Sequence, residues 1–283
     1  KDLKTQMILG KMLYYVTDGG ADDGIGYFGW LIATGTTILT KGYGQALGSD
    51  HQMESLRAET YGGIALFTFL KHYRQYHNIS DSPNSQKYYC DNATLIDRLQ
   101  KDEAQRQYPS TFIKPDYDAQ MTLMKTLNDI PGDIEINHVK GHQDTRSQKN
   151  NKLSWQATLN IIADKLATNA KYLLFRRRRV TFTPLLPAEA YLLINGKPVL
   201  KDYQDEINAA LSSQALREHM VKKYKWHYST PDKINWEPGG QIFIKKDIYF
   251  QRFITRYVYQ RLPLHGVPYQ QHATTMETTL TPY

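Results

Sequence analysis

Three β-favouring runs follow one another within the first 46 residues, and they constrain the fold more than any other feature of the chain. The runs span residues 11–17, 27–34 and 37–46. Each contains the β-branched and aromatic residues that favour strands, and Gly35-Thr36-Thr37 has the composition of a hairpin turn. Consecutive strands with short connections usually pair with one another, so the chain is predicted to begin as an antiparallel meander.

The chain then alternates between helical and strand patterns. Helices are predicted at 52–76, 92–100, 115–128 and 153–173, and strands at 86–91 and 133–139. Strands separated by helices join a sheet through crossover connections. The sequence therefore predicts an α/β fold in which helices flank a mixed five-stranded sheet.

Four acidic residues lie where a strand end or a helix face would present them. The run Leu13–Thr17 ends at Asp18 and is followed by two glycines, which predicts a strand with Asp18 at or near its carboxyl end. Asp91 follows a second apolar run in the same way, and Glu59 and Asp164 lie in helical patterns. The four carboxylates can therefore converge although they are far apart in sequence, and such a cluster binds hard cations.

Five sequence blocks, four of which contain these acids, occur in a fixed order. They are Thr-Asp-Gly-Gly (17–20), Arg-Ala-Glu-Thr-Tyr-Gly (57–62), Cys-Asp-Asn (90–92), His-Val-Lys-Gly-His-Gln-Asp (138–144) and Asn-Ile-Ile-Ala-Asp-Lys-Leu-Ala (160–167). Together, from about Tyr14 to Ala170, they resemble the type 1 ribonuclease H family, most closely the ribonuclease H domains of retroelement reverse transcriptases. Any one block is a weak signal, whereas five in family order are specific.

The resemblance implies a metal-dependent endonuclease that hydrolyses the RNA strand of RNA:DNA hybrids. Its cofactors would be two Mg²⁺ ions, which Mn²⁺ can replace. Asp18 would bridge both ions, Glu59 and Asp91 would complete one metal, and Asp164 would complete the other. Hydrolysis of a phosphodiester needs an activated water and stabilisation of charge on the phosphoryl and leaving oxygens, and two divalent ions about 4 Å apart supply all of these.

His142 is the fifth predicted catalytic residue. It lies in a polar, charged stretch at 140–146 that predicts a surface loop. A histidine that titrates near neutrality can move protons at the leaving group, and the resemblance supports an assisting role. The resemblance also implies contacts with nucleic acid. These are assigned to Gly19, Gly20, Ser55 and Asn92.

Some of these residues have plainer interpretations. An acid at a strand end, taken alone, is usually a solvated turn or cap residue. Asp164 has the alternative of a helix N-terminal charge that interacts favourably with the macrodipole. His138 is interpreted as a strand residue and not as a second catalytic group.

Glu54 competes with Glu59 for the role of the helix carboxylate, because Met53-Glu54 also resembles a family fragment. The apolar run that follows Glu59 continues as a core helix and favours Glu59. Gly62 and Gly63 would leave the face beneath this carboxylate bare, so that the helix could approach the sheet closely.

Positive charge is concentrated in the last part of the chain. Residues 1–170 carry 18 Lys and Arg against 19 Asp and Glu, whereas residues 171–283 carry 17 against 9, so the net charges are −1 and +8. We expect a catalytic domain at 1–175, a basic linker at 176–187 and a C-terminal α+β segment at 188–283 that no sequence signal closes into a full domain. An arginine run is as often a solvated segment as a phosphate-binding stripe, and the four arginines are expected to contact phosphates. They are Arg176, Arg177, Arg178 and Arg179.

The C-terminal segment contains two further patterns. Residues 188–200 are predicted to form a short hairpin with Asn195-Gly196 as its turn. Residues 203–228 have a helical pattern.

Composition restricts the class of protein. No unbroken apolar stretch is long enough to span a bilayer, so no membrane partner is expected. The single cysteine, Cys90, excludes an intrachain disulfide and a cysteine-based zinc site, and it suits a reducing compartment. We therefore expect an intracellular protein, in the cytoplasm or the nucleus. Its expected partners are an RNA:DNA hybrid and an upstream reverse transcriptase domain of the same polyprotein.

Two other function classes remain open. One is another nuclease of the same superfamily, such as an integrase, transposase or resolvase, although integrases place their glutamate last among the acids. The other is a non-catalytic domain that only binds nucleic acid. The presence of all four acids and of His142 counts against it.

Overall fold

A mixed five-stranded sheet forms the centre of the protein. The structure, a computed structural model, describes residues 2–35, 37–48, 52–80, 85–101, 114–141, 153–176, 186, 191–234 and 245–252. The strands are β1 (Leu13–Asp22), β2 (Ile25–Thr34), β3 (Thr37–Ala46), β4 (Gln86–Cys90) and β5 (Ile134–His138), in the order β3-β2-β1-β4-β5. The first three pair antiparallel, whereas β4 pairs in parallel with β1 and β5. The predicted fold class is confirmed.

Helices flank this sheet. They are α1 (Leu3–Ile8), α2 (Ser55–His77), α3 (Ala93–Gln100), α4 (Tyr117–Asn128) and α5 (Trp155–Arg176), and a further helix, α6 (Tyr203–Tyr224), follows them in the chain. The helix α1 was not predicted, and the others lie within a few residues of their predicted bounds. Within the described part of the chain, none of the helices combines the length and the apolar character that a membrane span requires.

The alternation of side chains along β1 separates two apolar cores. Tyr15 faces the core that contains Phe67 of α2, and the next residue, Val16, faces the core that contains Leu159 of α5. Successive residues of a strand point to opposite faces of the sheet, so α2 and α5 cover opposite faces. This arrangement brings helices to the same strand from both sides.

The β1–β2 hairpin corrects one prediction. The glycines at 19 and 20 do not end the first strand, because β1 continues to Asp22 and stays paired with β2. The turn is instead made by Asp23 and Gly24, which have φ angles of 49° and 71°. An Asp-Gly pair with two positive φ angles is favoured in two-residue hairpin turns. Asp18 therefore lies inside a strand and not at its carboxyl end.

The chain divides into two compact units, Lys1–Glu206 and Ile207–Tyr283. The first unit includes the predicted short hairpin, as β6 (Leu192–Ile194) and β7 (Lys197–Val199), and its turn at Asn195-Gly196 has φ angles of 51° and 77°. The domain division at 176–187 stays a prediction, since only residues 176 and 186 of that segment are described.

The residues after β7 are tied to the start of α2. Leu200 N donates to Gln52 Oε1 at 2.8 Å, and Asp116 N donates to Leu200 O at 2.8 Å. Gln52 also donates to Lys201 O at 3.1 Å and to Glu206 Oε1 at 3.0 Å. Gln52 is 2% exposed and its bond with Leu200 is buried, so this bond is shielded from water, and together the bonds hold residues 200–206 within the first unit.

Candidate functional site

Asp18 and Asp91 meet at the point where two parallel strands separate. β1 and β4 are paired only from Leu13 opposite Gln86 to Val16 opposite Tyr89. Each aspartate lies two residues beyond the last pair, so the two carboxylates occupy equivalent places at the mouth of the opening. Crevices beyond the carboxyl ends of parallel strands are common binding sites in α/β proteins.

Glu59 reaches this opening because α2 packs very close to β1. A Cβ atom on Gly19 would lie 2.6 Å from the backbone nitrogen of Glu59, and one on Gly62 would lie 3.3 Å from the Cβ of Thr17. Glycine at both places therefore allows the approach, whereas the predicted second glycine, Gly63, faces α4. Glu59 is 3% exposed.

The alternative carboxylate on α2 points elsewhere. Glu54 precedes the first residue of the helix and forms an ion pair with Lys201. Glu59, and not Glu54, lines the opening between the strands.

Asp164 approaches from the other face of the sheet. Gly29 of β2 lies opposite Asp18, and a Cβ atom there would be 2.5 Å from Ala163 O. The close contact between α5 and this glycine brings Asp164, the next residue, beside Asp18. Asp164 lies in the middle of the 22-residue helix, so it is not an N-terminal charge that interacts with the macrodipole.

The four carboxylates share an open cavity of about 620 Å³. Every predicted metal ligand and every predicted nucleic-acid contact in the first 92 residues lines it, as do residues of the β5–α5 connection. The lining residues are Asp18, Gly19, Gly20, Ala21, Tyr27, Ser55, Glu59, Asp91, Asn92, His138, Lys140, Gly141, Asp164, Ala167 and Thr168. His142 and Arg177, Arg178 and Arg179 lie outside the described residues. Arg176 is the last residue of α5.

Two predicted nucleic-acid contacts also have local structural roles. Ser55, the exposed first residue of α2, donates from Oγ to Gly19 O at 3.4 Å. Asn92 caps α3 and accepts a hydrogen bond from Leu95 N at 3.1 Å. The cap fixes the chain that follows Asp91.

Burial and mutual repulsion raise the pKa of the carboxyl groups at the centre of the site. The pKa of Asp18 is raised to about 8, first by burial and then by the charges of Asp91 and Asp164. The pKa of Glu59 is raised well above its usual value by burial and by the charges of Asp18 and Asp91. Ionising these carboxyl groups therefore costs free energy when no cation is bound. Asp18 is the carboxyl group that interacts with the charges of both Asp91 and Asp164.

We expect the contribution of Asp18 to the stability of the metal-free protein to be lost as the pH rises from about 4 towards about 8. The folded protein holds the proton of Asp18 more tightly than the unfolded chain does. The stabilisation that results is complete below about pH 4 and is lost as the pH rises through the raised pKa of about 8. Thermal unfolding in a chelator, compared between the protein and its Asp18→Asn variant, measures the effect. The melting-temperature difference between the two should shift in favour of the variant as the pH rises. A difference that does not change with pH would contradict the expectation.

Three residues near the carboxylates were missed as site residues by sequence reasoning. Asn160 of α5, 2% exposed, donates from Nδ2 towards Asp18 Oδ2 at 3.4 Å and towards Asp91 Oδ2 at 3.5 Å. Cys90 donates from Sγ to Glu59 Oε2 at 3.4 Å. The third, His138, is a strand residue as predicted, at the end of β5; its Nε2 forms a hydrogen bond with the backbone oxygen of Asp91 at 3.1 Å, and the residue lines the cavity. Only the spacing of Asn160, four residues before Asp164, could have suggested a shared helix face.

The donor set fits a hard divalent cation. Ligand atoms of Glu59, Cys90 and Asp91 lie within 4.8 Å of one another. Burial raises the pKa of the Cys90 thiol well above its usual value, so the thiol remains protonated and acts as a donor to Glu59. The groups left to bind a cation are carboxylate oxygens, which Mg²⁺ and Mn²⁺ prefer.

Comparison with known proteins gives matches among solved structures. No protein-family model matches the chain, and the comparison with curated proteins gives no match. Ribonuclease H1 from Halobacterium salinarum is 16% identical over 57% of this chain and 98% of its own, with a TM-score of 0.37. The N-terminal ribonuclease H domain of a Mycobacterium tuberculosis protein is 14% identical over 59% and 97%, with a TM-score of 0.38.

The chain is similar in structure to ribonucleases H. It is also similar to the protease-reverse transcriptase of prototype foamy virus, at 21% identity and a TM-score of 0.38, over 56% of this chain and 21% of the viral protein. These proteins are of the class that the five sequence blocks resemble. Identities this low say nothing of activity, so the function is proposed from the residues of the site.

Proposed function

We propose that the protein is a metal-dependent endonuclease that hydrolyses the RNA strand of RNA:DNA hybrids. The observation that supports this best is the convergence on one open cavity of four acids that are distant in sequence: Asp18 of β1, Glu59 of α2, Asp91 directly after β4 and Asp164 of α5. The pKa values of Asp18 and Glu59 are raised by burial and by neighbouring carboxylates, so a positive charge placed among these groups would stabilise their ionised forms. An ion pair with a lysine or arginine would lower these pKa values, whereas in a metal site they stay raised until the metal binds.

The electrostatic interactions suggest how the ligands are shared. Asp18 interacts with both Asp91 and Asp164, whereas the charges that act on Glu59 are those of Asp18 and Asp91. The family resemblance implies the same division, and we infer that Asp18 is the common ligand, with Glu59 and Asp91 on one side and Asp164 on the other. Bound Mg²⁺, or Mn²⁺ in its place, would activate water and stabilise charge on the phosphoryl oxygens.

Residues that line the cavity would position the substrate. Gly19 and Gly20 line the cavity, and we assign them to contact the phosphodiester backbone of the substrate. Ser55 offers a hydroxyl at the exposed start of α2, and we assign it, with Asn92, to contact the nucleic acid. The family resemblance further suggests a retroelement polyprotein with an upstream reverse transcriptase domain, and the single cysteine suits an intracellular protein.

A panel of labelled substrates tests the proposal. An RNA:DNA hybrid, duplex DNA and duplex RNA are incubated with the protein, with Mg²⁺, with Mn²⁺ and with a chelator. We expect internal cleavage of the RNA strand of the hybrid, and only with a metal. Cleavage of duplex DNA instead would indicate a nuclease of the integrase or resolvase type, and binding without cleavage under all conditions would indicate a non-catalytic domain.

The His142→Ala variant should cleave the hybrid about 10- to 100-fold more slowly, at or below the lower end of what a general acid or base contributes, because His142 is expected to assist and not to be indispensable. Single-turnover rates measured across pH values near neutrality check this. His72→Ala, at an exposed position of α2 that does not line the cavity, is the control and should leave the rate unchanged. Complete loss of cleavage in His142→Ala would make the residue essential, and an unchanged rate would remove it from the mechanism.

The four arginines at 176–179 should contribute affinity and not chemistry. Replacing all four by glutamine should raise the Michaelis constant and reduce the slope of log affinity against log salt by up to about 4 units, because each neutralised phosphate releases about one counterion. The rate at saturating hybrid should not change. Substituting Lys71 and Lys125, which do not line the cavity, is the control. An unaltered salt slope would show that the arginines are not phosphate contacts.

A further inference from the structure

Asn160 lies behind the carboxylates and touches two of them. Its side chain is 2% exposed, and its single Nδ2 atom is directed towards Asp18 Oδ2 at 3.4 Å and Asp91 Oδ2 at 3.5 Å. The amide group has two N–H bonds, one for each carboxylate. Asn160 of α5 therefore connects the carboxylate on β1 with the carboxylate that follows β4.

The orientation of the amide is fixed by chemistry. If Nδ2 and Oδ1 exchanged places, a partly negative oxygen would face two carboxylates. In the orientation found, Oδ1 is buried and has no hydrogen-bond partner among the described residues. A buried acceptor without a partner costs free energy, so the interaction of Nδ2 with the carboxylates has to offset this cost.

We propose that Asn160 is a positioning residue that holds Asp18 and Asp91 at the separation a bound metal requires. The inference rests on the proposed function, since it assigns a role within the same metal site. Asn160 is too deeply buried to touch a substrate, so it acts through the two carboxylates.

The physical reason is repulsion between the two anions. When both groups are ionised and no cation is bound, Asp18 and Asp91 repel each other, and each would turn towards water if nothing restrained it. One neutral amide that donates to both offsets part of the repulsion and adds no charge that would compete with a cation. Residues that hold metal ligands in place typically contribute a factor of 10 to 100 in metal affinity.

Two variants test the role, and both are measured first without substrate. Asn160→Ala removes the amide, and Asn160→Leu removes it while filling the same buried volume, so that at least one variant should fold. Asn169→Ala, at an exposed position of the same helix, is the matched control. Calorimetric titration with Mn²⁺ should show affinity weakened about 10- to 100-fold in both Asn160 variants and unchanged in the control.

Cleavage of the hybrid is then measured against Mg²⁺ concentration. The Mg²⁺ concentration for half-maximal rate should rise by the same factor, with the Michaelis constant for the hybrid unchanged at saturating metal. Unchanged Mn²⁺ affinity in both folded variants would overturn the role of Asn160, even if the protein cleaves hybrids normally. Weakened Mn²⁺ affinity in a protein that does not cleave hybrids would support Asn160 and reject the proposed function. Failure of the unaltered protein to bind Mn²⁺ would overturn the inference.

Discussion

Replacing Asp18 by asparagine is expected to reduce hybrid cleavage by roughly a thousandfold or more. The change keeps the shape of the side chain but removes the charge that interacts with both Asp91 and Asp164. A bound metal supplies several kcal/mol of transition-state stabilisation, and about 1.4 kcal/mol corresponds to a factor of ten in rate. The same variant should be as stable as the unaltered protein or more stable when metal is absent, because a repelled, buried carboxylate has gone.

Rates at saturating hybrid and Mg²⁺ measure the loss, and thermal unfolding in a chelator measures the gain. Two further variants compare Glu59 with Glu54. Glu59→Gln should lose activity, whereas Glu54→Gln should leave activity nearly unchanged because Glu54 is paired with Lys201 and does not line the cavity. Wild-type cleavage by Asp18→Asn would show that the metal site is assigned wrongly. Loss of activity in Glu54→Gln alone would move the helix carboxylate to that residue.

Much of the sheet could be predicted because its strands follow from local patterns, although the order of the strands in the sheet was not predicted. Alternating and apolar runs identify strands, and the alternation of strands with helices indicates crossovers onto one sheet. The length of β1 could not be read in this way. Gly19 and Gly20 looked like a strand end, but Gly19 makes room for α2, and the actual turn is at Asp23-Gly24. A glycine has the same local signature in a turn and in a close contact between elements.

The contacts that support the site were not predictable, because they join residues distant in sequence. Asn160 meets Asp18 across 142 positions, and Gln52 meets Leu200 across 148. Neither residue belongs to a hydrophobic period, and a polar side chain in a helical pattern usually lies on the solvated face. The burial of Arg57, inside one of the five recognised blocks, was missed for the same reason.

Replacing Arg57 by methionine is expected to destabilise the protein by about 3–5 kcal/mol, the cost of breaking a buried ion pair from one side. Arg57 is fully buried and donates from Nη1 and Nη2 to both carboxylate oxygens of Asp118, at 2.9 and 3.0 Å. It also donates to Asp116 Oδ1 at 3.0 Å and to Leu47 O at 2.7 Å. The variant would leave two buried carboxylates without their cation. Denaturant unfolding at neutral pH measures the loss.

Lys71→Met is the matched control, since the Lys71–Asp129 pair is partly exposed, with both side chains more than a third accessible, and such pairs contribute about 0–1 kcal/mol. The loss of stability in Arg57→Met should be smaller at pH 5 than at pH 8, because burial raises the pKa of Asp116 to about 6 even beside Arg57, and an orphaned carboxyl group can be protonated at the lower pH.

Adding Asp118→Asn to Arg57→Met should recover part of the stability. Arg57 lies two residues before Glu59 on α2, so we also expect weaker Mn²⁺ binding in Arg57→Met. Full stability and full Mn²⁺ affinity in that variant would show that this buried network does not position the helix.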